Sequence, residues 1–258
     1  MQDKRIQAVL FDFDDTLVDW SQRADVGGKI YRRHVANVYA HLAAQGVPLP
    51  EEAQFFRVYR DVISEAWDEA KKSWAGVNFA VTWMATLEQL GVDTAVLDLD
   101  AVWRAFDWQP VPGVRPYPDT LATLRALRQA GYRLGLITNS MMPMWMRDVE
   151  LQAYGMLSFF DARITSGDAG VMKPHPDIYQ AILRQLRVPP ERAVFVGDRP
   201  ANDIAGANAV GMTSVLMAPP HVTYPLDGVQ PDFTITTLTE LLPILAELEV
   251  SHAEAGTK

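Results

Sequence analysis

Asp12 and Asp14 stand two residues apart in Phe11-Asp12-Phe13-Asp14-Asp15-Thr16-Leu17, directly after the apolar run Ile6-Gln7-Ala8-Val9-Leu10. In an extended chain, side chains two apart project to the same side. Two carboxylates held that close repel each other unless a cation lies between them. Such a pair can bind metal or attack an electrophile, although Asp-rich strand ends also occur as plain solvated turns. Three more reactive segments follow in chain order. Thr138-Asn139 offers a hydroxyl and an amide, or simply a turn cap. Lys173, in Gly170-Val171-Met172-Lys173-Pro174-His175-Pro176-Asp177, is followed by two prolines and precedes a helix start, where a lone lysine is otherwise solvated. Gly197-Asp198-Arg199-Pro200-Ala201-Asn202-Asp203 places two carboxylates after a glycine that permits close backbone approach, with Asp203 alternatively a helix cap.

The elements that position these residues are short. Ile6 to Phe13, Arg133 to Ile137 and Ala193 to Val196 are compact, β-branched and aromatic runs, as expected for strands buried on both faces. Weaker strand patterns are 162–165, 213–217 and, at an edge, 233–235. Helical spacing falls between them: Leu121 to Ala130 with Asp119 as cap, Asp177 to Leu186, Asp203 to Ala209 and Leu238 to Leu248. Strands alternating with such helices predict an α/β fold, a doubly wound parallel sheet of Rossmann type. In that architecture ligands bind at the carboxyl ends of the strands. All three strong strand patterns end there in the polar residues just named.

The stretch 20–109 differs. It has no strand pattern, three helical stretches (Gly28 to Gln45, Glu51 to Lys72, Phe79 to Leu90) and most of the tryptophans. The turn-rich connector Pro110-Val111-Pro112-Gly113-Val114-Arg115-Pro116-Tyr117-Pro118 closes it. We read 20–109 as a small helical domain inserted after the first strand, 1–19 and 110–250 as the core, and 251–258 as a disordered tail.

In their order and wording the four reactive segments resemble the haloacid dehalogenase superfamily. The likeness rests on Asp-Phe-Asp-Asp-Thr-Leu, Gly-Val-Met-Lys-Pro-His-Pro and Val-Gly-Asp-Arg-Pro-Ala-Asn-Asp-Ile-Ala-Gly-Ala, and spans roughly 1–20 and 110–220. The resemblance implies a nucleophilic Asp12 that forms an aspartyl-phosphate, and Asp14 as general acid and then base. It implies phosphoryl contacts from Thr138, Asn139 and Lys173. Mg²⁺ would be held by Asp12, the Asp14 carbonyl, Asp198 and, directly or through its surroundings, Asp203. The insertion resembles the helical cap of phosphoglycolate phosphatase-like and acylneuraminate phosphatase-like members. Members that cleave carbon–halogen bonds lack the second carboxylate, because halide leaves without a proton. Asp14 therefore points to an oxygen leaving group and a phosphate monoester hydrolase, with a phosphomutase as the alternative. A phosphonatase would need an imine-forming lysine near the start of the insertion, for which Lys29 is a weak candidate. A non-catalytic phospho-accepting receiver domain, which also uses acids, Thr and Lys, would lack the insertion and the late Gly-Asp element.

Composition narrows the partners. The 258 residues carry a formal charge of −9, against a nucleic-acid surface built on clustered cations. There is no cysteine, so thiolate metal sites and thiol nucleophiles are excluded. No leader and no apolar run of membrane-spanning length is visible, so the expectation is a cytoplasmic enzyme acting on a small phosphorylated metabolite. Arg23, Lys29, Arg32 and Arg33 are candidate anion contacts from the insertion, or a solvated helix face. The run Met141-Met142-Pro143-Met144-Trp145-Met146 either packs under the insertion or lines an apolar pocket wall.

Overall fold

The computed structural model describes residues 5–24 and 28–255. Its eight strands are β1 (Ala8–Phe11), β2 (Val18–Asp19), β3 (Arg115–Pro116), β4 (Arg133–Thr138), β5 (Ala162–Thr165), β6 (Ala193–Gly197), β7 (Thr213–Met217) and β8 (Phe233–Ile235). Six form one sheet in the order β5-β4-β1-β6-β7-β8, every pairing parallel. The chain winds from β1 to one side, then crosses back over β1 to the other. That reversal opens a crevice at the carboxyl end of β1, the usual ligand position in such sheets. β1 and β6 are buried throughout, which is why they read as unbroken apolar runs.

Four helices lie in the insertion: α1 (Lys29–Ala44), α2 (Glu52–Ser73), α3 (Phe79–Gln89) and α4 (Leu99–Ala105). The last was not expected; Asp98 caps it by accepting from the Ala101 amide at 3.1 Å. These helices bury their own cluster, centred on Tyr59, Trp83 and Phe106. Met141, Met142 and Met146 belong to that cluster and pack under the insertion, while Met144 packs against the core and the exposed Trp145 lines a surface cavity with Trp103. Trp83 is fully buried, as expected of insertion core. The two connectors to the insertion pair with each other as the antiparallel ribbon β2–β3.

The remaining helices flank the sheet: α5 (Thr120–Gln129), α6 (Met144–Ala153), α7 (Ser166–Ala169), α8 (Pro176–Leu186), α9 (Ala205–Val210) and α10 (Leu241–Ala255). Two expectations about caps fail. Asp119 precedes α5 without capping it, because its carboxylate accepts from the amide and hydroxyl of Thr239, at 2.8 and 2.9 Å. Asp203 lies inside an irregular helical turn, Pro200–Ile204, and does not begin the helix. Nor does the chain end in a coil from 251. α10 continues to Ala255, since Ala and Glu favour helix and the first breaker is Gly256. Residues 256–258 lie outside the described residues. Among the described residues no helix is long and apolar enough to cross a membrane.

The loop between α2 and α3 is bonded to the core backbone. Met172 N–H donates to Trp74 O and Gly76 N–H to Gly170 O, both at 2.9 Å, and Ala75 bridges Val171 antiparallel. The Asn78 carboxamide caps α3 at Val81 and donates to Gly167 O at 2.8 Å. Gly76 is required by this close approach, since a β-carbon there would sit 1.9 Å from Ser166 O. Overpacking of this kind costs about 1–3 kcal/mol, and backbone offers no flexible way to yield. Gly76→Ala is therefore expected to lower the unfolding free energy by that amount, read as a lower urea midpoint at unchanged slope. An unchanged midpoint would show that the loop is not held this tightly.

Candidate active site

Three strand ends bring the sequence candidates together. β1 is in register with β4 and β6 on either side, Phe11 opposite Leu136 and Val196. Asp12 follows β1, Thr138 closes β4 and Asp198 follows β6. The Asp12 amide extends the ladder by donating to Val196 O at 2.9 Å. Lys173 reaches them from the loop before α8, where Pro176 opens the helix without wasting a donor. Its ammonium is almost fully buried; it donates to Asp12 Oδ1 at 2.6 Å and to Ile137 O at 3.0 Å and forms an ion pair with Asp203 Oδ1 at 2.7 Å. It is not a solvated loop cation.

Asp203 is held against the end of β6. Its Oδ2 accepts from the Arg199 amide at 2.9 Å. A β-carbon on Gly197 would lie 2.4 Å from the Asp203 carboxyl carbon, so only glycine lets that carboxylate pack so close. Asp12, Asp198 and Asp203 each offer an oxygen, the three lying within 4.8 Å of one another, and all three residues are buried. The Asp14 side chain is outside this group, so its expected contribution would come only from its backbone carbonyl.

One ammonium against three clustered carboxylates leaves the site short of positive charge. Burial, then Asp12 and Asp203, push the Asp198 carboxyl up to about 9. Burial also raises Asp12 above the usual carboxylate range, against the pull of Lys173. Burial favours a neutral Lys173, but Asp12 and Asp203 outweigh it and keep the ammonium charged. Asp198 Oδ1 accepts from Thr16 Oγ at 3.4 Å, while the buried Oδ2 has no hydrogen-bond partner. An orphaned carboxylate oxygen in an all-oxygen, anionic cluster fits a hard divalent cation and does not fit a soft one.

A cavity of about 100 Å³ adjoins these groups, lined by Asp12, Asp14, Thr138, Asn139, Lys173, Arg199, Asn202 and Asp203. Asn139, expected to contact phosphate, is already engaged. Its carboxamide accepts from the Lys173 amide at 2.8 Å and donates to Lys173 O at 3.0 Å, fixing the lysine backbone. Arg23, Lys29, Arg32 and Arg33 are exposed, and none lines the cavity. Arg32 instead stacks over Phe56, 4.4 Å from the ring centroid.

Sequence reading missed two groups beside Asp14. Trp20 Nε1 donates to Asp14 Oδ1 and Arg147 donates to Asp14 Oδ2, each at 2.8 Å. Arg147 also pairs with Glu150 at 2.8 Å. The signal was available: Arg147 and Glu150 stand three apart in Met146-Arg147-Asp148-Val149-Glu150-Leu151, on the helical face shared with Met146 and Leu151. Without a helix expected there, that spacing carried no meaning.

The family model described as hydrolase, haloacid dehalogenase-like hydrolase, matches residues 6–211. A glyceraldehyde 3-phosphate phosphatase of Methanopyrus kandleri is 32% identical over 252 residues, covering 94% of this chain and 98% of that protein. Two solved structures share the fold at 26% identity. A HAD phosphatase from Thermococcus onnurineus has TM-score 0.59, covering 93% of this chain and 98% of its own. A 2-haloacid dehalogenase from Pseudomonas syringae pv. Tomato has TM-score 0.63, covering 94% and 99%.

The charge shortage predicts an unusual pH profile. In the metal-free protein the Asp198 carboxyl, at about 9 when folded, exceeds its unfolded value of about 3.9. Between those values the folded state binds the extra proton, so stability is highest at the acidic end and falls as pH rises. Chelator-treated protein is expected to melt at progressively lower temperature from about pH 5 to pH 8, and a divalent cation to flatten that slope. A melting temperature that rises with pH in chelator would overturn this account. Lys173→Met leaves the buried carboxylates unpaired and is expected to cost about 3–5 kcal/mol in urea unfolding.

Proposed function

This chain belongs to the haloacid dehalogenase-like hydrolase family and is a phosphatase within it, and from that premise we propose that it hydrolyses phosphate monoesters of small polar metabolites, with Mg²⁺ bound, through a phosphoryl group carried on Asp12. The observation that carries this reading is Lys173 locked between Asp12 and Asp203, beside the orphaned oxygen of Asp198. Asp12, Asp198 and Asp203 would hold the ion, with the Asp14 carbonyl. When bound, the ion neutralises charge on the phosphate and on the carboxylates around it.

The chain's own residues divide the remaining work. Lys173 fixes the Asp12 carboxylate and offers positive charge to the phosphoryl oxygens, with the Thr138 hydroxyl as a further donor. Asp12 attacks phosphorus in line, forming the new P–O bond as the bond to the leaving oxygen breaks. Asp14 gives that oxygen its proton. It then takes a proton from the water that attacks the aspartyl-phosphate, releasing inorganic phosphate and restoring Asp12.

Asp14 separates this chemistry from dehalogenation, although a dehalogenase shares the fold. Substrate size follows from the cavity, which is about 100 Å³ and lined by charged and polar groups. With the methionines packed away from it, no apolar wall favours an aromatic substrate. A substrate of triose phosphate size agrees with the name of the Methanopyrus kandleri relative. We further assign 20–109 as a cap on a core of 1–19 and 110–250, supported by an apolar cluster built mostly from its own helices and by the β2–β3 ribbon at its base.

The purified protein is expected to release phosphate from p-nitrophenyl phosphate with Mg²⁺ and to stop with chelator. Asp12→Asn is expected to lose about 10⁴-fold or more in kcat, as when a nucleophile is removed. No turnover by the native protein, or undiminished turnover in that variant, would refute the proposal. A panel of phosphorylated metabolites, triose phosphates included, identifies the substrate class.

A further inference from the structure

We propose that Arg147 is a positioning residue for Asp14, and that with Glu150 and Trp20 it fixes the carboxylate where it hands its proton to the leaving oxygen. The inference rests on the role of Asp14 just proposed and adds residues that role does not name. Both Asp14 oxygens are held, Oδ1 by Trp20 Nε1 and Oδ2 by Arg147, each at 2.8 Å. Asp14 still borders the cavity, and its side chain is 31% exposed. The residues that hold it are not exposed. Arg147 and Glu150 have side-chain exposures of 8% and 1%. The Phe13 ring centroid lies 5.3 Å from the Arg147 guanidinium carbon. One planar guanidinium thus bridges a buried carboxylate on its own helix and a carboxylate at the reaction site. A lysine, with a single point of charge, is a poorer fit to that bridge.

Stability alone does not ask for such a pair, since apolar residues of similar volume often replace a buried ion pair without loss. Position does ask for it. A short aspartate side chain beside open cavity rotates freely unless both oxygens are tied, and small displacements of a reacting group cost rate steeply. Glu150 keeps the guanidinium in place, and Trp20 sets the second oxygen from the connector that leads into the insertion.

The test uses leaving groups. p-Nitrophenolate departs without a proton, whereas an alkyl alkoxide needs one. The readout is the ratio of kcat/KM on an alkyl monoester, the fastest in the metabolite panel, to kcat/KM on p-nitrophenyl phosphate, since kcat/KM reports phosphoryl transfer to Asp12 and leaves out the hydrolysis step that both substrates share. Arg147→Met is expected to lower that ratio about 10-fold or more, a general-acid effect a structural role would not single out. Arg147→Lys is expected to recover part of it. The double variant R147M/E150Q leaves no buried charge unpaired and is expected to show the same fall with a cooperative melt. Asp14→Asn is the reference. A fall in D14N with no fall in either Arg147 variant overturns the positioning role and leaves the acid assignment standing. A rise in the ratio means that Arg147 restrains the acid, which also overturns it. No change in D14N itself refutes the acid assignment and the inference together.

Discussion

The Lys173 ammonium, buried and shared between Asp12 and Asp203, is the interaction on which the site depends. Without it three carboxylates would face one another at the carboxyl end of β1, in surroundings that already push Asp198 to about 9. In the low effective dielectric of a buried site Coulomb repulsion at such distances is strong, so a cation or a bound proton must offset it. Lys173 meets part of that need permanently. The part left over, expressed in the unpartnered Asp198 oxygen, is what makes the site receptive to a divalent ion and then to an anion.

Most of the local architecture can be read as support for that ammonium. Gly197 lets the Asp203 carboxylate close on the end of β6. Asn139 bonds both sides of the Lys173 peptide and so ties the end of β4 to the lysine loop. On the far side the same loop is paired to the insertion through Trp74, Ala75 and Gly76. The insertion therefore touches the chemistry through backbone hydrogen bonds to the lysine loop. A displacement of the α2–α3 connection has to break those bonds or carry Val171 and Met172 with it.

The parallel sheet and the identity of the clustered acids were legible in the sequence for a physical reason. Buried parallel strands leave dense apolar runs, and reactive residues gather where those runs stop. What stayed hidden depended on long-range partners. Asp119 looks like a helix cap until Thr239, far along the chain, takes its carboxylate. Asn139 looks like a ligand contact until the lysine loop uses its amide. Arg147 and Trp20 could not be placed beside Asp14, because nothing local says which way α6 and the insertion connector turn. The methionine run was ambiguous for the same reason: apolar spacing shows that a face is buried, not against what.

Asp12 and Asp14 illustrate how environment divides two identical side chains. Asp12 is 6% exposed and bonded to the Lys173 ammonium, which fixes it for attack and opposes the burial that favours its neutral form. Asp14 lies outside the acid cluster, on the cavity wall, between an indole and a guanidinium. A group that must both lose and regain a proton is better placed there than within a divalent ion's coordination, where the proton would compete with the metal. The two-residue spacing brings the carboxylates to one cavity. The strand end and α6 then give them different partners, and those partners suit the different roles proposed for the two, nucleophile and proton carrier.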